Sequence, residues 1–140
     1  MQHGTYRLEG RGSDLGLQVS GPDLASCLSA AVEGFAAALT ELPVDAATRA
    51  EALALDEDTP DDLLVALIDE LILRLDAEGE LAVDLTVARA DGGSLRGELV
   101  LCPVGDVEVH GVAPKAATWH EVRLGPDPDG GWTGAVMLDL

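Results

Sequence analysis

Positive charge is scarce in this chain of 140 residues. Eight lysines and arginines face 26 aspartates and glutamates, a formal net charge of −18. A polyanion approaching such a surface is repelled unless it meets a locally basic groove, so direct nucleic-acid binding is not expected. Cysteine is nearly absent as well. Cys27 and Cys102 form no C-x-x-C, which leaves nothing from which to build a disulfide framework or a zinc knuckle, and each reads as a small buried apolar residue. Aromatic residues make up 3% of the chain. No charge-free run approaches the roughly 20 residues of a membrane helix. The stretch from Met1 to Arg7 has neither the apolar core nor the small-residue cleavage site of a secretory signal, so a cytoplasmic location is expected.

What the chain has is aliphatic mass. Twenty-three leucines and 13 valines dominate its apolar content, enough for a folded chain, and the length suits a single domain over residues 1–140. Thr5–Glu9 and Leu15–Val19 alternate apolar and polar positions across a turn at 10–14, the pattern of a hairpin. Leu24, Leu28, Ala31, Phe35, Leu39 and Leu42 recur at helical spacing, with Asp23 before them and Pro43 after. A short strand follows over Glu51–Asp56. Thr59, Pro60, Asp61 and Asp62 open a second helix, whose stripe from Leu63 to Leu75 stops near Gly79. Leu81–Val87 and Leu95–Leu101 flank Asp91-Gly92-Gly93-Ser94 as another hairpin. Cys102–Pro114 reads as a surface excursion, and Thr118–Leu124 and Trp132–Leu140 as two final strands. The predicted class is α+β, an antiparallel sheet or sheets with two main helices on one face.

Most clusters of chemical groups have plain explanations. Asp127-Pro128-Asp129-Gly130 lacks the spaced ligands and closing glutamate of a calcium loop and reads as a hairpin turn. The acids Asp56, Glu57, Asp58, Asp61 and Asp62 suit a solvated strand-to-helix junction. His3, His110 and His120 have no metal-ligand spacing, and no nucleophile elbow, phosphate loop or dinucleotide fingerprint occurs. Two placements stand out. Asp14 sits in the turn that opens the second strand, and Asp139 lies beside the terminal Leu140, so a side-chain and an α-carboxylate adjoin. One more aspartate nearby would complete oxygen ligands suited to Ca²⁺, Mg²⁺ or Mn²⁺. Lys115 is the one lysine, and Thr118, Trp119 and His120 follow it closely. A lone tryptophan entering a strand is expected in the core.

Several segments together resemble the archease family, activators of the RtcB-type RNA ligase. The family's H-T-A-D-I-G corresponds to Arg11-Gly12-Ser13-Asp14-Leu15-Gly16. Its helix motif corresponds to Asp62–Ile72, followed by Asp76-Ala77-Glu78-Gly79. K-A-V-T-Y-H corresponds to Lys115-Ala116-Ala117-Thr118-Trp119-His120, preceded by His110-Gly111, and the family's closing strand to Asp139-Leu140. Arg11, Gly12 and Leu67 stand where the family has His, Thr and Trp. The resemblance implies a divalent-cation site, Ca²⁺ or else Mg²⁺ or Mn²⁺, formed by Asp14, Asp139 and Leu140, and a lysine needed for ligase activation, Lys115. It also implies a non-catalytic partner of a GTP-dependent ligase in tRNA splicing or RNA repair, with GTP and RNA bound by the ligase. The alternatives are a metal-dependent phosphohydrolase and a metal-free protein-interaction domain.

Overall fold

The computed structural model describes residues 3–140, excluding the side chains of Arg11 and His120. Met1 and Gln2, part of the N-terminal stretch considered above, and the Arg11 and His120 side chains of the two family motifs therefore lie outside the described residues.

Alternation in the first hairpin gives β1 (Thr5–Arg11) and β2 (Asp14–Gly21). The turn between them is tighter than its run of polar residues suggests. It consists of Gly12 and Ser13, with Gly12 at φ +63°, a backbone state that glycine adopts without steric penalty. Asp14 is thus the first residue of a strand rather than part of a turn.

Helix α1 (Leu24–Ala37) begins at a reciprocal cap. The Ser26 N–H donates to Asp23 Oδ1 at 2.8 Å, and the Asp23 N–H donates to Ser26 Oγ at 3.2 Å. It ends before the apolar run does, because Leu39 donates its N–H to Ala36 and tightens the chain out of the helix. Leu39 stays buried beyond the helix end, so the burial rhythm outlasts the helical backbone.

Strand β3 (Arg49–Asp56) precedes α2 (Pro60–Glu78), which has every predicted terminal feature. Thr59 accepts the Asp62 N–H, Pro60 occupies the first turn and Gly79 closes the helix in the left-handed region at φ +65°. The long hairpin β4 (Glu80–Asp91) and β5 (Ser94–Pro103) follows. Cys102, expected at the start of the excursion, is instead buried within β5. The excursion proper starts with a 3₁₀ turn at Val104–Asp106 and is pinned to the end of α1. Thr40 Oγ1 donates to the Glu108 carbonyl, and the His110 N–H donates to the Leu39 carbonyl, both at 2.7 Å.

The last strands are β6 (Ala116–Pro126) and β7 (Trp132–Asp139). All strand pairings are antiparallel, and the strands divide into a four-stranded sheet, β1-β2-β7-β6, and a three-stranded sheet, β3-β5-β4. Each helix touches both sheets, so the helices cover one face of each. The core they share is almost entirely aliphatic: Leu63, Leu67, Ile68 and Leu71 of α2 and Leu28 of α1 meet Leu17, Leu138, Leu85 and Leu99. Each such side chain stabilises the fold by roughly 1.5–3 kcal/mol when fully buried. Phe35 is the aromatic residue buried among them. Among the described residues no helix is long and apolar enough to cross a membrane.

Both cysteines are free and buried. Burial, with Asp23 nearby, pushes the Cys27 thiol up to about 11. A group whose native pKa lies above its unfolded value holds its proton more tightly when folded. Its contribution is complete below the ordinary thiol value and lost as pH rises from there through about 11. Urea unfolding across that range should show stability falling in the wild type and a shallower fall in Cys27→Ala. Equal slopes would mean that Cys27 does not ionise on unfolding.

Candidate functional site

On β2 and β7 the register pairs Leu15 with Leu138 and Leu17 with Val136, all on the side packed into the core. The intervening pairs, Asp14 with Asp139 and Gly16 with Met137, therefore occupy the sheet face that points away from the helices. The two aspartates stand directly opposite each other. The Leu140 N–H donates to the Ser13 carbonyl at 3.1 Å, which makes Asp14 and Asp139 a non-hydrogen-bonded pair. Such pairs bring Cα atoms to about 4.5 Å and side chains closest together. Two like charges in this relation are destabilising by themselves.

The same corner receives Lys115. Its N–H donates to the Asp139 carbonyl at 2.7 Å, and Ala116 is the β6 register partner of Asp139. Arg49, Arg74 and Arg96 are committed elsewhere: Arg49 to Glu51 and Glu80, Arg74 to Glu51, Glu70 and Glu78, and Arg96 to Asp56. Among the described residues no ion pair involves Lys115, whose side chain is exposed. Main-chain pairing thus brings the backbone of the chain's one lysine to the strand that carries Asp139.

The donor chemistry fits a hard cation. Among the described residues no three His, Cys, Asp or Glu side chains gather as a metal cluster, so the facing pair offers two carboxylates and not a complete set of side-chain ligands. Two carboxylates, with main-chain oxygen from the Leu140 segment and water, suit Ca²⁺, which accepts flexible mixtures of such ligands.

Two features of this face have no signature in local sequence. Thr118 pairs with Met137 on the same side as the aspartates, and its hydroxyl oxygen is enclosed without a hydrogen-bond partner among the described residues. Buried hydroxyls are ordinarily satisfied. Next, β6 leaves the ladder. Pairing stops at Thr118–Met137 and resumes at Arg123–Ala135, so residues 119–122 lie opposite Val136 alone. Glu121 within this bulge has φ +63°. The bulge borders a cavity of about 500 Å³ on the outer face, lined by Gly16, Gln18, Glu121, Arg123 and Met137 among others. Trp119, expected in the core, is 61% exposed.

The remaining sequence candidates resolve into structure. Asp127 closes the last hairpin, accepting the Gly130 N–H on its carbonyl and the Asp129 N–H on its side chain. The acids before α2 are not merely solvated. Asp56 accepts hydrogen bonds from Arg96 and Ser94, which hold its carboxyl below the usual range. Asp61 accepts the Leu124 N–H at 2.7 Å, fastening the start of α2 to β6. His3 and His110 are exposed and apart from the aspartate pair in the register.

A two-sheet α+β fold of this kind defines a class of small proteins seen in solved structures. Methanobacterium thermoautotrophicum protein 1598 has it, with a TM-score of 0.68 and 22% identity, covering 96% of this chain and 98% of that one. So does a Thermotoga maritima protein described as an archease, possible chaperone, with a TM-score of 0.64, 17% identity and 96% of each chain covered. A probable protein archease of Mycobacterium tuberculosis (strain H37Rv) is 32% identical over 128 residues, 91% of this chain and 70% of that protein. The model of the archease protein family matches residues 6–140. The chain belongs to the archease family.

Proposed function

We propose that the protein is a non-catalytic activator of an RtcB-type GTP-dependent RNA ligase, promoting ligase guanylylation and multiple turnover in tRNA splicing or RNA repair in the cytoplasm. On this reading Asp14, Asp139 and main-chain oxygen of Leu140 hold a divalent cation, Ca²⁺ before Mg²⁺ or Mn²⁺. Lys115 offsets phosphate charge at the ligase's nucleotide site, where an ammonium is most effective once water is excluded. GTP and RNA stay with the ligase.

The observation that carries the reading is the facing pair Asp14–Asp139 on the solvent side of the sheet, with Lys115 delivered to the same corner by its bond to Asp139. Family membership supports it, and the net charge of −18 suits docking onto the basic surface of an RNA-handling enzyme. In multiple-turnover joining with a cognate ligase, the wild type should raise guanylylation and product per ligase. Asp14→Ala and Lys115→Ala should each lower the stimulated rate by about tenfold or more. A ligase indifferent to the wild-type protein would end the proposal. Phosphoester hydrolysis by the protein alone, lost on chelation, would assign the same carboxylates to a hydrolase.

A further inference from the structure

The outer face of the four-stranded sheet carries positive charge that the ion-pair network leaves unused. Arg49, Arg74 and Arg96 are each paired with carboxylates, whereas among the described residues neither Arg7 nor Arg123 enters an ion pair or a side-chain hydrogen bond. These two arginines share a row. The register runs Arg7, Gln18, Ala135, Arg123 across β1, β2, β7 and β6. Leu8, Leu17, Val136 and Leu124 face the core, so the row faces away from it. The row beside it is Thr5, Ser20, Thr133 and Gly125.

The bulge in β6 is what brings Arg123 into line. Thr118 and Arg123 are an odd number of positions apart, so a regular strand with Thr118 outward would turn Arg123 toward the core. The surplus residues 119–122, with Glu121 in the left-handed region, reset the alternation and aim Arg123 outward.

Thr5, Arg7, Gln18, Ser20, Arg123 and Thr133 line one cavity of about 390 Å³, a size common among small-molecule sites. Among the described residues no carboxylate lines it. Glu9 and Glu121 line the neighbouring cavity, with Gly16 and Met137 of the row on the opposite side, and Arg123 borders both. Asp14 lies a further row away, about 13 Å along β2 from Gln18.

The donors of this cavity suit an oxyanion. Two guanidiniums supply planar forks that match phosphate oxygens, and Gln18 adds an amide. The Thr5 and Ser20 hydroxyls bond each other at 2.9 Å, which leaves one of their two protons to give. Thr133 already donates to the Val19 carbonyl at 3.3 Å. Two guanidiniums balance the double charge of a phosphomonoester, whereas a phosphodiester carries a single charge. The further phosphates of a strand lying across this face would meet Glu9, Glu121 and the aspartate pair.

We propose that Arg7, Arg123, Gln18 and the Thr5–Ser20 hydroxyl pair form a binding site for one phosphomonoester group, borne by a small metabolite or by the end of an RNA. The site is separate from the Asp14–Asp139 corner and does not depend on the activator reading.

NMR titrations of the isotope-labelled full chain at constant ionic strength test it, with amide shifts giving both affinity and location. The probes are inorganic phosphate, glycerol phosphate and an RNA oligonucleotide ending in a phosphate or in a hydroxyl. Inorganic phosphate should shift Thr5, Arg7, Gln18, Ser20 and Arg123. Arg7→Gln and Arg123→Gln should each weaken its binding about tenfold, the usual loss for a charge-assisted hydrogen bond. Arg123→Lys, which keeps the charge without the fork, should weaken it less, and Arg89→Gln, on the other sheet, should leave it unchanged. Tighter binding of glycerol phosphate than of the phosphorylated oligonucleotide assigns the site to a small metabolite, and the reverse order assigns it to an RNA end. Equal binding of the two oligonucleotides overturns the proposal, as do shifts centred on Asp14 and Asp139, wild-type affinity in both glutamine variants, or no shift with any probe. Because no ligase is present, each of these failures leaves the activator reading standing.

Discussion

Asp14→Asn should abolish stabilisation by calcium and, in the absence of metal, leave the protein as stable as the wild type or slightly more so. The two signs come from one geometry. Facing carboxylates on adjacent strands repel each other, and removing one charge relieves roughly 0.2–1 kcal/mol. With a cation between them the same charges become ligands. Binding to the native state alone at 100 times the Kd adds about 2.7 kcal/mol of stability. Asp139→Asn should behave alike, since the two residues are register partners. Urea melts with Ca²⁺, Mg²⁺, Mn²⁺ or chelator at constant ionic strength would measure both effects. The constant salt matters because screening alone stabilises a chain of charge −18. A wild type whose stability ignores all three ions would remove the cation from the account, and retention of the full shift by both variants would locate it elsewhere.

The second large effect is expected far from this corner. Phe35→Ala should lower stability by about 3–5 kcal/mol, the usual range for deleting a buried ring. Phe35 is fully enclosed on α1, and its neighbour Gly34 already packs tightly: a Cβ there would lie 2.5 Å from Leu17 Cδ1. Backbone this close to β2 leaves little room for collapse into the vacated volume, which places the cost toward the upper end. For a chain of this length the melting temperature should fall by roughly 10–20 °C. Thermal unfolding monitored by circular dichroism would show it, and a change of only a degree or two would mean that the site repacks around alanine.

How much of this was legible depended on whether a feature is local. Helix α2 was readable in full because Thr59, Pro60, Asp62 and Gly79 each act on the backbone within a turn of themselves. The start of α1 was equally local, but its end was not: Leu39 is buried by contacts made outside the helix, so apolar spacing carried the expectation past the true terminus. The bulge in β6 was hidden because Trp119-His120-Glu121-Val122 contains neither glycine nor proline to announce it, and only the register against β7 reveals the surplus. Trp119 was misplaced for the same reason. Asp61 looked like a helix-dipole residue, and its bond to Leu124 spans 63 positions that no pattern encodes. At the candidate site, Asp14, Asp139 and Lys115 were identifiable as oddities of placement and through family resemblance. That the aspartates face each other follows from the sheet order β1-β2-β7-β6, a long-range fact.

That order also has a consequence in time. Strand β7 lies between β2 and β6, so the strands bearing Asp14 and adjoining Lys115 have no hydrogen-bonded connection to one another until residues 132–139 insert between them. In a growing chain the first hairpin is made well before residues 132–139 and is held apart from β6 until they emerge. A chain released before residue 132 would therefore carry both helices yet lack the strand that pairs Asp14 with Asp139 and joins β2 to β6.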